Sequence, residues 1–511
     1  MRRPRTRWLA LALLLLPAVA LARPGGGDSY SGGGGHSSGG GGGGYSGGGG
    51  GDGDGGDAGA IFELIVQLIR LCYYYPKIGV PLVLLICGYL AYAWWRKQQD
   101  RDWDSGPPVP LARSISDLGA LTRLDPDFSR ILFEDFAFRL YATAHGARGR
   151  PGGLDELAPY LAAPARAALA ERSPPGTPVA GVAVGAMRLY GVDIPTQDAI
   201  DSGAATQVRI GVEFEANYTV GAPGAQRTKF AVERWLFSRS VTARTRPPTA
   251  SRTFPCPNCG APWQDADAGH GQRCAYCGEV VDNGRFDWQV EEVMLHHERD
   301  QPPTLTTEVP ERGTDLASYV QVGFDQRWLG LLHDDPSLTD ASLIARLHHI
   351  YAALNQAWAA DDLTPARAVV SDGLHDYLAY WLGAYRAQGL RNVLEGMRLT
   401  HQALIKLTRD RWYDALTIRI WGTGRDYVVR RSDGAVVRGS PRRDRRYSEY
   451  WTLIRSAARR GAPRGDASCG NCGAPLVVSM AGACLSCGVH VTAGEFDWVL
   501  SKIEQDDSYR G

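Results

Sequence analysis

The feature that most constrains this chain is a four-cysteine motif that occurs twice. Two C-x-x-C pairs lie between Phe254 and Trp288, and two further pairs precede Phe496-Asp497-Trp498. The eight cysteines are Cys256, Cys259, Cys274, Cys277, Cys469, Cys472, Cys484 and Cys487. Because similar sequence precedes each motif, we predict that most of the chain is one unit used twice, with a cysteine module closing each copy.

The spacing of the cysteines predicts two metal centres. Two residues between thiols let one tight turn direct both sulfurs at a single point, and two such turns supply the four tetrahedral ligands of a structural zinc ion. A glycine, which tolerates positive φ, follows the second cysteine of every pair: Gly260, Gly278, Gly473 and Gly488. A disulfide framework or a thioredoxin-like redox pair would use the same motif. We predict two structural zinc ions, since four thiolates leave no position for water.

Composition changes along the chain predict its segments. They are a signal peptide at 1–22, a Gly/Ser-rich disordered segment at 23–60, an amphipathic interfacial segment at 61–77, a transmembrane helix at 78–95, a linker at 96–124, a first domain at 125–245, a first zinc ribbon at 254–298, a linker at 299–334, a second domain at 335–460 and a second zinc ribbon at 467–505.

The N-terminal segments predict a single-pass membrane protein. A basic start, an apolar stretch and a small-x-small site resemble a secretory signal, with an uncleaved signal anchor as the alternative. The run Ile78–Trp95 has no charge and is near the minimum length for a bilayer span. Arg96 and Lys97 follow it, which predicts that the C-terminal side is cytoplasmic. Thiolate zinc sites suit that reducing compartment.

Each predicted unit has helices first and strands afterwards. Asp125-Pro126 and Asp335-Pro336 begin apolar-striped helices, and segments rich in β-branched and aromatic residues follow them. After the first ribbon we predict a short helix at Glu291–Glu298. This order is typical of an α+β layer arrangement. A curved sheet folded over a helix leaves either a pocket or simply an apolar core.

The sequence DPDFSRILFEDFAFRLYATAH, together with the order of segments before it, resembles bacterial members of the Tim-forty-four-like domain family. The resemblance covers Asp125–Ser240 best and Asp335–Ser456 less closely. It implies cone-like domains, similar to the nuclear-transport-factor-two fold, that dock on membranes and protein partners at the bacterial inner (plasma) membrane. The full expectation is two tandem α+β domains, each of helices plus an antiparallel sheet and each followed by a zinc ribbon, behind one transmembrane helix.

The sequence predicts a non-catalytic function. It has no Gly-Lys-Ser/Thr phosphate loop, no G-x-S-x-G elbow and no H-E-x-x-H motif. The 55 basic residues balance 55 acidic ones, which argues against nucleic acid as a partner. We therefore predict a membrane-anchored scaffold or tether for an unidentified protein partner or the inner leaflet, linked to protein translocation or membrane-protein assembly. The alternatives are an enzyme that uses a buried titratable group in the cone pocket, and a zinc-ribbon regulator that binds nucleic acid.

Overall fold

The computed structural model describes residues 67–68, 70–101, 118–172, 174, 176–222, 224–250, 254–266, 273–281, 283–300, 314, 317–465, 467–506, 509 and 511. They belong to two compact units, of which one contains an N-terminal helix and the other contains both helix-and-sheet domains. The predicted signal peptide at 1–22 and the Gly/Ser-rich segment at 23–60 lie outside the described residues.

The N-terminal unit contains helix α1 (Pro76–Arg101). The membrane span predicted at 78–95 is not found: within the described residues, no helix is long and apolar enough to cross a bilayer. Helix α1 covers the predicted segment, but it contains Pro81, and its sequence becomes charged from Arg96 onward. The uncharged run at 78–95 therefore lies at the short end of the range of about 17–25 residues for a spanning helix.

The first domain places its helices before most of its strands. Its elements are α2 (Gly119–Leu124), α3 (Arg130–Arg148), α4 (Ala163–Ala170), β1 (Val179–Asp193), α5 (Gln197–Asp201), β2 (Gln207–Val220), β3 (Arg227–Ser240) and β4 (Gln289–Asp300), with short 3₁₀ turns at Asp155–Leu157 and Pro248–Ala250. The sheet has the order β1-β2-β3-β4, and each neighbouring pair is antiparallel.

The second domain repeats this arrangement. Its elements are α6 (Phe324–Asp334), α7 (Asp340–Ala360), a 3₁₀ turn (Thr364–Ala366), α8 (Asp372–Ala387), β5 (Leu390–Arg409), β6 (Tyr413–Arg430), β7 (Val436–Gly439), β8 (Arg445–Ser456) and β9 (Val499–Gln505). The sheet order is β5-β6-β8-β9, with β7 paired to β6, and all these pairs are antiparallel. The predicted α+β class with antiparallel sheets is confirmed, while the cone-like likeness stays a prediction.

The long helix of each domain begins later than its Asp-Pro pair suggests. The Ser129 hydroxyl accepts a hydrogen bond from the Leu132 amide and caps α3, and Thr339 forms a capping box at the start of α7. Such caps satisfy amides that have no partner inside the helix. The aspartates that we predicted as helix starts, Asp125 and Asp335, are instead buried.

Each of these aspartates joins the helix start to the sheet through an arginine. Asp125 pairs with Arg239 at 2.8 Å, and Asp335 pairs with Arg455 at 2.8 Å. Each guanidinium also lies over the tryptophan that follows the cysteine module, with Arg239 4.6 Å from the Trp288 ring centroid. The equivalent distance from Arg455 to Trp498 is 4.7 Å. This repeated contact holds the residue that follows each ribbon against strand β3 in the first domain and strand β8 in the second.

The chain returns to the sheet after each ribbon. The helix predicted at Glu291–Glu298 is wrong, because these residues belong to β4, which pairs with β3. Helix-forming residues are overridden here by sheet pairing, since intrinsic propensity is a weak prior. After the second ribbon, β9 pairs with β8 in the same way. Each ribbon is therefore inserted between two neighbouring strands and does not follow a finished domain.

The two domains share an interface in which apolar and charged groups alternate. Leu132 of α3 packs in a cluster with residues of the second domain, namely Tyr413, Ala415, Ile454 and Val499. Beside it, Glu134 pairs with Lys502. Burial raises the pKa of Glu134, but Lys502 and Arg130 outweigh it and lower the pKa to about 2. Asp127 accepts a hydrogen bond from Arg411 at 2.7 Å.

Candidate metal centres and a buried ionic cluster

Each set of four cysteines forms one cluster of sulfur atoms. In both clusters, the four Sγ atoms lie within 4.8 Å of one another. The distance between the Sγ atoms of Cys256 and Cys277 is 3.8 Å, and that between Cys469 and Cys487 is also 3.8 Å. Disulfide sulfurs would be about 2.05 Å apart, so these cysteines are not bridged. Tetrahedral Zn–S bonds of about 2.3 Å place sulfurs about 3.8 Å apart. The donor set and its spacing therefore fit such an ion.

The glycines of the modules have the backbone conformation that the sequence predicts. Their φ angles are 76° at Gly260, 73° at Gly278, 71° at Gly473 and 72° at Gly488. The amide of each glycine donates a hydrogen bond to the carbonyl of the first cysteine in its pair, as Gly260 does to Cys256 at 2.9 Å. A side chain at this φ would be strained. The glycines thus close the turn that brings the paired sulfurs together.

Two asparagines that we did not predict as site residues assist the thiolates. Asn258 donates its side-chain amide to the Cys277 sulfur at 3.4 Å, and Asn471 does the same to Cys487 at 3.5 Å. These hydrogen bonds lower the pKa of Cys277 to about 7 and that of Cys487 to about 6. Outer-shell donors of this kind orient metal ligands. The sequence signal was an asparagine before the second cysteine of the first pair in both modules.

A histidine ties the second ribbon to helix α8. His490 Nε2 lies 3.0 Å from Asp372 Oδ2, and Nδ1 lies 2.9 Å from Glu495 Oε1. Burial by itself lowers the pKa of His490, but the hydrogen bonds to these carboxylates outweigh it and raise the pKa to about 9. His490 is therefore a structural cation beside the metal centre, whereas His270 of the first ribbon lies outside the described residues.

A second candidate site is a buried group of charged side chains inside the first domain. We call it the ionic cluster. Its members are Tyr141, His145, Arg148, Arg172, Tyr218, Glu233 and Glu298.

Glu233 is the centre of the ionic cluster and is fully buried. It accepts hydrogen bonds from the Tyr141 hydroxyl at 2.8 Å and from the Trp235 indole at 3.0 Å. His145 Nε2 lies 3.2 Å from it, and Arg172 pairs with it. Burial raises the pKa of Glu233, but the neighbouring His145 and Arg172 lower it well below its usual value. Glu233 is therefore an ionised carboxylate in the interior.

The histidine of the cluster is fully buried beside Glu233. Burial lowers the pKa of His145 despite the opposing effect of Glu233. Its ring stacks on Tyr218 with centroids 4.9 Å apart and lies 4.4 Å from the Tyr141 ring. In the described part of the chain, its Nδ1 atom has no hydrogen-bond partner. The signal in the sequence was its position on the apolar stripe of α3, one turn after Tyr141.

The second domain has no counterpart to most of the ionic cluster. Counted from the helix caps Ser129 and Thr339, the residues equivalent to Tyr141, His145 and Arg148 are Tyr351, Asn355 and Trp358. The carboxylate is kept, since Glu449 accepts a hydrogen bond from the Trp451 indole at 2.8 Å. Its strand partner across the sheet is Ile420, and Glu233 faces Phe214. His145 and Arg148 are therefore specific to the first domain, whereas the tyrosine and the carboxylate occur in both.

The interior of the first domain is packed with aromatic rings. Trp235 and Phe214 are fully buried, and Phe214 stacks on Tyr141 with centroids 4.5 Å apart. Phe133, Phe237 and Trp288 form edge-to-face pairs on the other side of the same core. Rings in these arrangements fill space between helix and sheet. In this region the core interpretation of the sequence is the better one.

Comparison with known proteins adds one family resemblance. No curated protein matches the chain. A solved structure described as an "Ntf2 like protein involved in plasmid conjugation" is 9% identical, with 74% of this chain and 98% of that chain covered and a TM-score of 0.18. The family model that matches is Tim44, described as a Tim44-like domain, and it matches residues 330–464. The second domain is therefore the part of the chain that is similar to Tim44-like domains.

Proposed function

We propose that this chain is a non-catalytic scaffold that binds a protein partner through its second domain. The observation that carries the proposal is a group of exposed apolar side chains in the segment that leads into that domain, which we call the apolar strip. Tyr319, Val320, Val322 and Leu329 are 52%, 54%, 93% and 63% exposed. Contiguous exposed apolar side chains mark interaction surfaces more often than they mark ordinary surface. The strip adjoins the residues that match the Tim44-like domain model, and it supports a docking role for them.

Site-specific photocrosslinking in intact cells tests this proposal. A photoreactive amino acid at Val322 should yield a discrete high-mass adduct, because its neighbours are apolar and exposed. The matched control places the same amino acid at Ser432, which is exposed in a polar turn. If both positions give the same adducts, or if neither gives any, the strip is not a docking surface.

We further propose that the two four-cysteine clusters hold structural zinc. Three features support this identity: the spacing of the sulfurs, the asparagines that lower the pKa of the thiols, and the four protein ligands at each site. Metal analysis of the purified chain should find about two zinc ions per molecule. Iron in place of zinc, or less than about one ion per cluster at full loading, would contradict the proposal.

The location also stays a proposal, namely the bacterial plasma membrane with both domains on its cytoplasmic side. Unbridged cysteines support a reducing compartment, and Leu84, Leu85 and Tyr89 of α1 are exposed apolar side chains. Fractionation should recover the chain with membranes. A membrane-impermeant maleimide should label metal-stripped cysteines only after lysis, and labelling in intact cells would contradict the proposal.

A second candidate function is an enzyme that uses the ionic cluster. What favours it is the buried His145–Glu233 pair, since strongly perturbed titratable groups inside a domain are candidates for acid–base chemistry. Turnover of an ester or an enolisable ketone should then fall by about 10²–10⁴-fold in His145→Gln. An absence of turnover across such substrates in the folded wild-type protein would argue against an enzyme.

A further inference from the structure

Arg148 is a buried cation with unsatisfied hydrogen-bond donors. It ends helix α3 and is 6% exposed. Within the part of the chain that the structure describes, its Nε and Nη1 atoms have no hydrogen-bond partner. Burial lowers its pKa, yet a guanidinium remains charged in proteins. Buried charges are normally paired, because an uncompensated one is strongly destabilising.

The carboxylates of the ionic cluster are committed to other groups. Glu233 pairs with Arg172 and accepts hydrogen bonds from Tyr141 and Trp235. Glu298 pairs with Arg172 at 2.9 Å and accepts a hydrogen bond from the Tyr218 hydroxyl at 2.7 Å. Among the described residues neither carboxylate forms an ion pair with Arg148, although, against the lowering by burial, the charge of Glu233 raises the pKa of Arg148.

Aromatic and cationic groups shape the surroundings of Arg148. Its guanidinium carbon lies 5.0 Å from the Tyr218 ring centroid, and that of Arg172 lies 5.8 Å from the same ring. The other neighbour of this ring is His145, whose Nδ1 is also without a partner. Two cations and an unused imidazole nitrogen thus meet around one tyrosine.

The fold does not require a cation at this position. In the second domain the equivalent residue is Trp358, which is 1% exposed and donates its indole N–H to Asn392 at 2.6 Å. Asn355 replaces His145 and donates to a helix carbonyl, that of Tyr351. In the second domain, neutral side chains with hydrogen-bond partners occupy the equivalent positions. The fold therefore does not explain why the first domain has a charged Arg148.

The cluster has access to solvent on one side. The Glu298 side chain is 26% exposed and that of Arg172 is 8% exposed, while Lys229, which pairs with Glu298, is 24% exposed. The ionic cluster is therefore partly exposed to solvent beside Glu298 and Lys229.

We propose that this end of the first domain binds a small oxyanion, a carboxylate or a phosphate group, with Arg148 as its main ligand. The fork of a guanidinium matches two oxygens of such a group. Arg172 flanks the site, with its guanidinium over the same Tyr218 ring. This site is independent of the apolar strip proposed to dock a protein.

Thermal unfolding of the full chain at constant ionic strength tests the proposal. Inorganic phosphate and acetate are titrated separately against chloride. One of the two oxyanions should raise Tm saturably, by about 5 °C at a hundredfold excess over Kd. In Arg148→Met this response should vanish, and its Tm without the anion should be equal to or above that of the wild type, because unsatisfied buried donors have been removed.

Two variants control the measurement. Arg150→Met removes an exposed arginine that pairs with Glu156, and it should respond to the anion as the wild type does. Arg148→Lys keeps the charge without the fork, and its Kd should rise about tenfold while the fold is retained. A response that is equal in Arg148→Met, or absent in the wild type, overturns the site. Binding to anionic lipid vesicles without binding of either free anion also overturns it.

Discussion

At the scale of single residues, both domains have the ion pair that joins the helix start to the sheet, but they differ in the ionic cluster. The pairs Asp125–Arg239 and Asp335–Arg455 have the same 2.8 Å contact, because both tie a helix start to a strand. His145, in contrast, corresponds to Asn355. The ion pair that connects helix and sheet therefore occurs in both domains, whereas the histidine and Arg148 of the ionic cluster occur only in the first.

A cysteine substitution should remove one metal ion only. In Cys469→Ser the second cluster loses one of four thiolates, so the remaining donors bind zinc much more weakly. The first cluster shares no ligand with it. We expect the zinc content to fall from about two ions to about one, measured by elemental analysis of purified protein.

The control is Cys72→Ser, since Cys72 lies outside both clusters. It should retain the full zinc content. If Cys469→Ser keeps both ions, or loses both while the first domain stays folded, the assignment of independent centres is wrong.

His490 should make stability fall on the alkaline side. Its pKa is raised to about 9 in the folded state, against about 6.5 in an unfolded chain. The stabilisation from protonated His490 is therefore full below pH 6.5 and is lost as the pH rises through 9. It amounts to about 2–3 kcal/mol, since only 12% of the side chain is exposed.

Chemical denaturation of wild type and His490→Gln from pH 6 to pH 9.5 measures this effect. The difference in unfolding free energy should be largest at pH 6 and should shrink towards pH 9.5. Arg367 and Glu495 also face Asp372 or His490 and are present in both proteins, so the subtraction isolates the histidine. A difference that does not vary with pH would exclude the protonated pair.

The sequence was sufficient to predict that the eight cysteines form two clusters but insufficient for the ionic cluster. Cysteine spacing is a local property, and one turn of backbone determines where both sulfurs point. His145 and Glu233 are far apart in the chain and meet only because α3 packs on β3. No periodicity within either segment distinguishes such a histidine from an ordinary residue of an apolar stripe.

At the scale of elements, each ribbon lies in the connection between two neighbouring strands of a sheet. The ribbon separates β3 from β4 and β8 from β9, and each returning strand also bridges a segment near the helices. Leu161 pairs with Val290, and Val370 pairs with Leu500. The returning strands were not predicted, because their sequences contain helix formers and their strand state comes from non-local pairing.

Metal removal should loosen the returning strands first. Without zinc a four-cysteine module loses most of its folding free energy, so the chain entering β4 or β9 is no longer held. We expect hydrogen exchange in β9 to speed up at least tenfold after chelation. The amides of β6, which pair on both sides, should keep their protection.

Hydrogen–deuterium exchange followed by mass spectrometry, with and without a zinc chelator, gives this result by peptide. The zinc-reloaded protein is the control and should regain the original pattern. Equal acceleration in β6 and β9 would show that the ribbons stabilise whole domains, and no acceleration would show that β9 is held by its partner β8 alone.

At the scale of the whole molecule, the two domains lie in one compact unit and share an interface. Leu132 is 7% exposed, and its neighbours in the cluster come from the second domain. The ion pair between Glu134 and Lys502 borders this contact, and α8 of the second domain packs against β1 of the first. These contacts predict that the two domains unfold together.

Truncation of Leu132 should uncouple the domains. Leu132→Ala removes the apolar group at the centre of the contact, at a cost of about 2–5 kcal/mol. The domain cores do not contain this side chain, so each should remain folded. Differential scanning calorimetry should then show two separated transitions in place of one. Leu295→Ala, at a position that is 47% exposed, should unfold like the wild type. Identical thermograms for the two variants would mean that the interface contributes nothing to cooperativity, and that a partner cannot rely on it to hold the domains together.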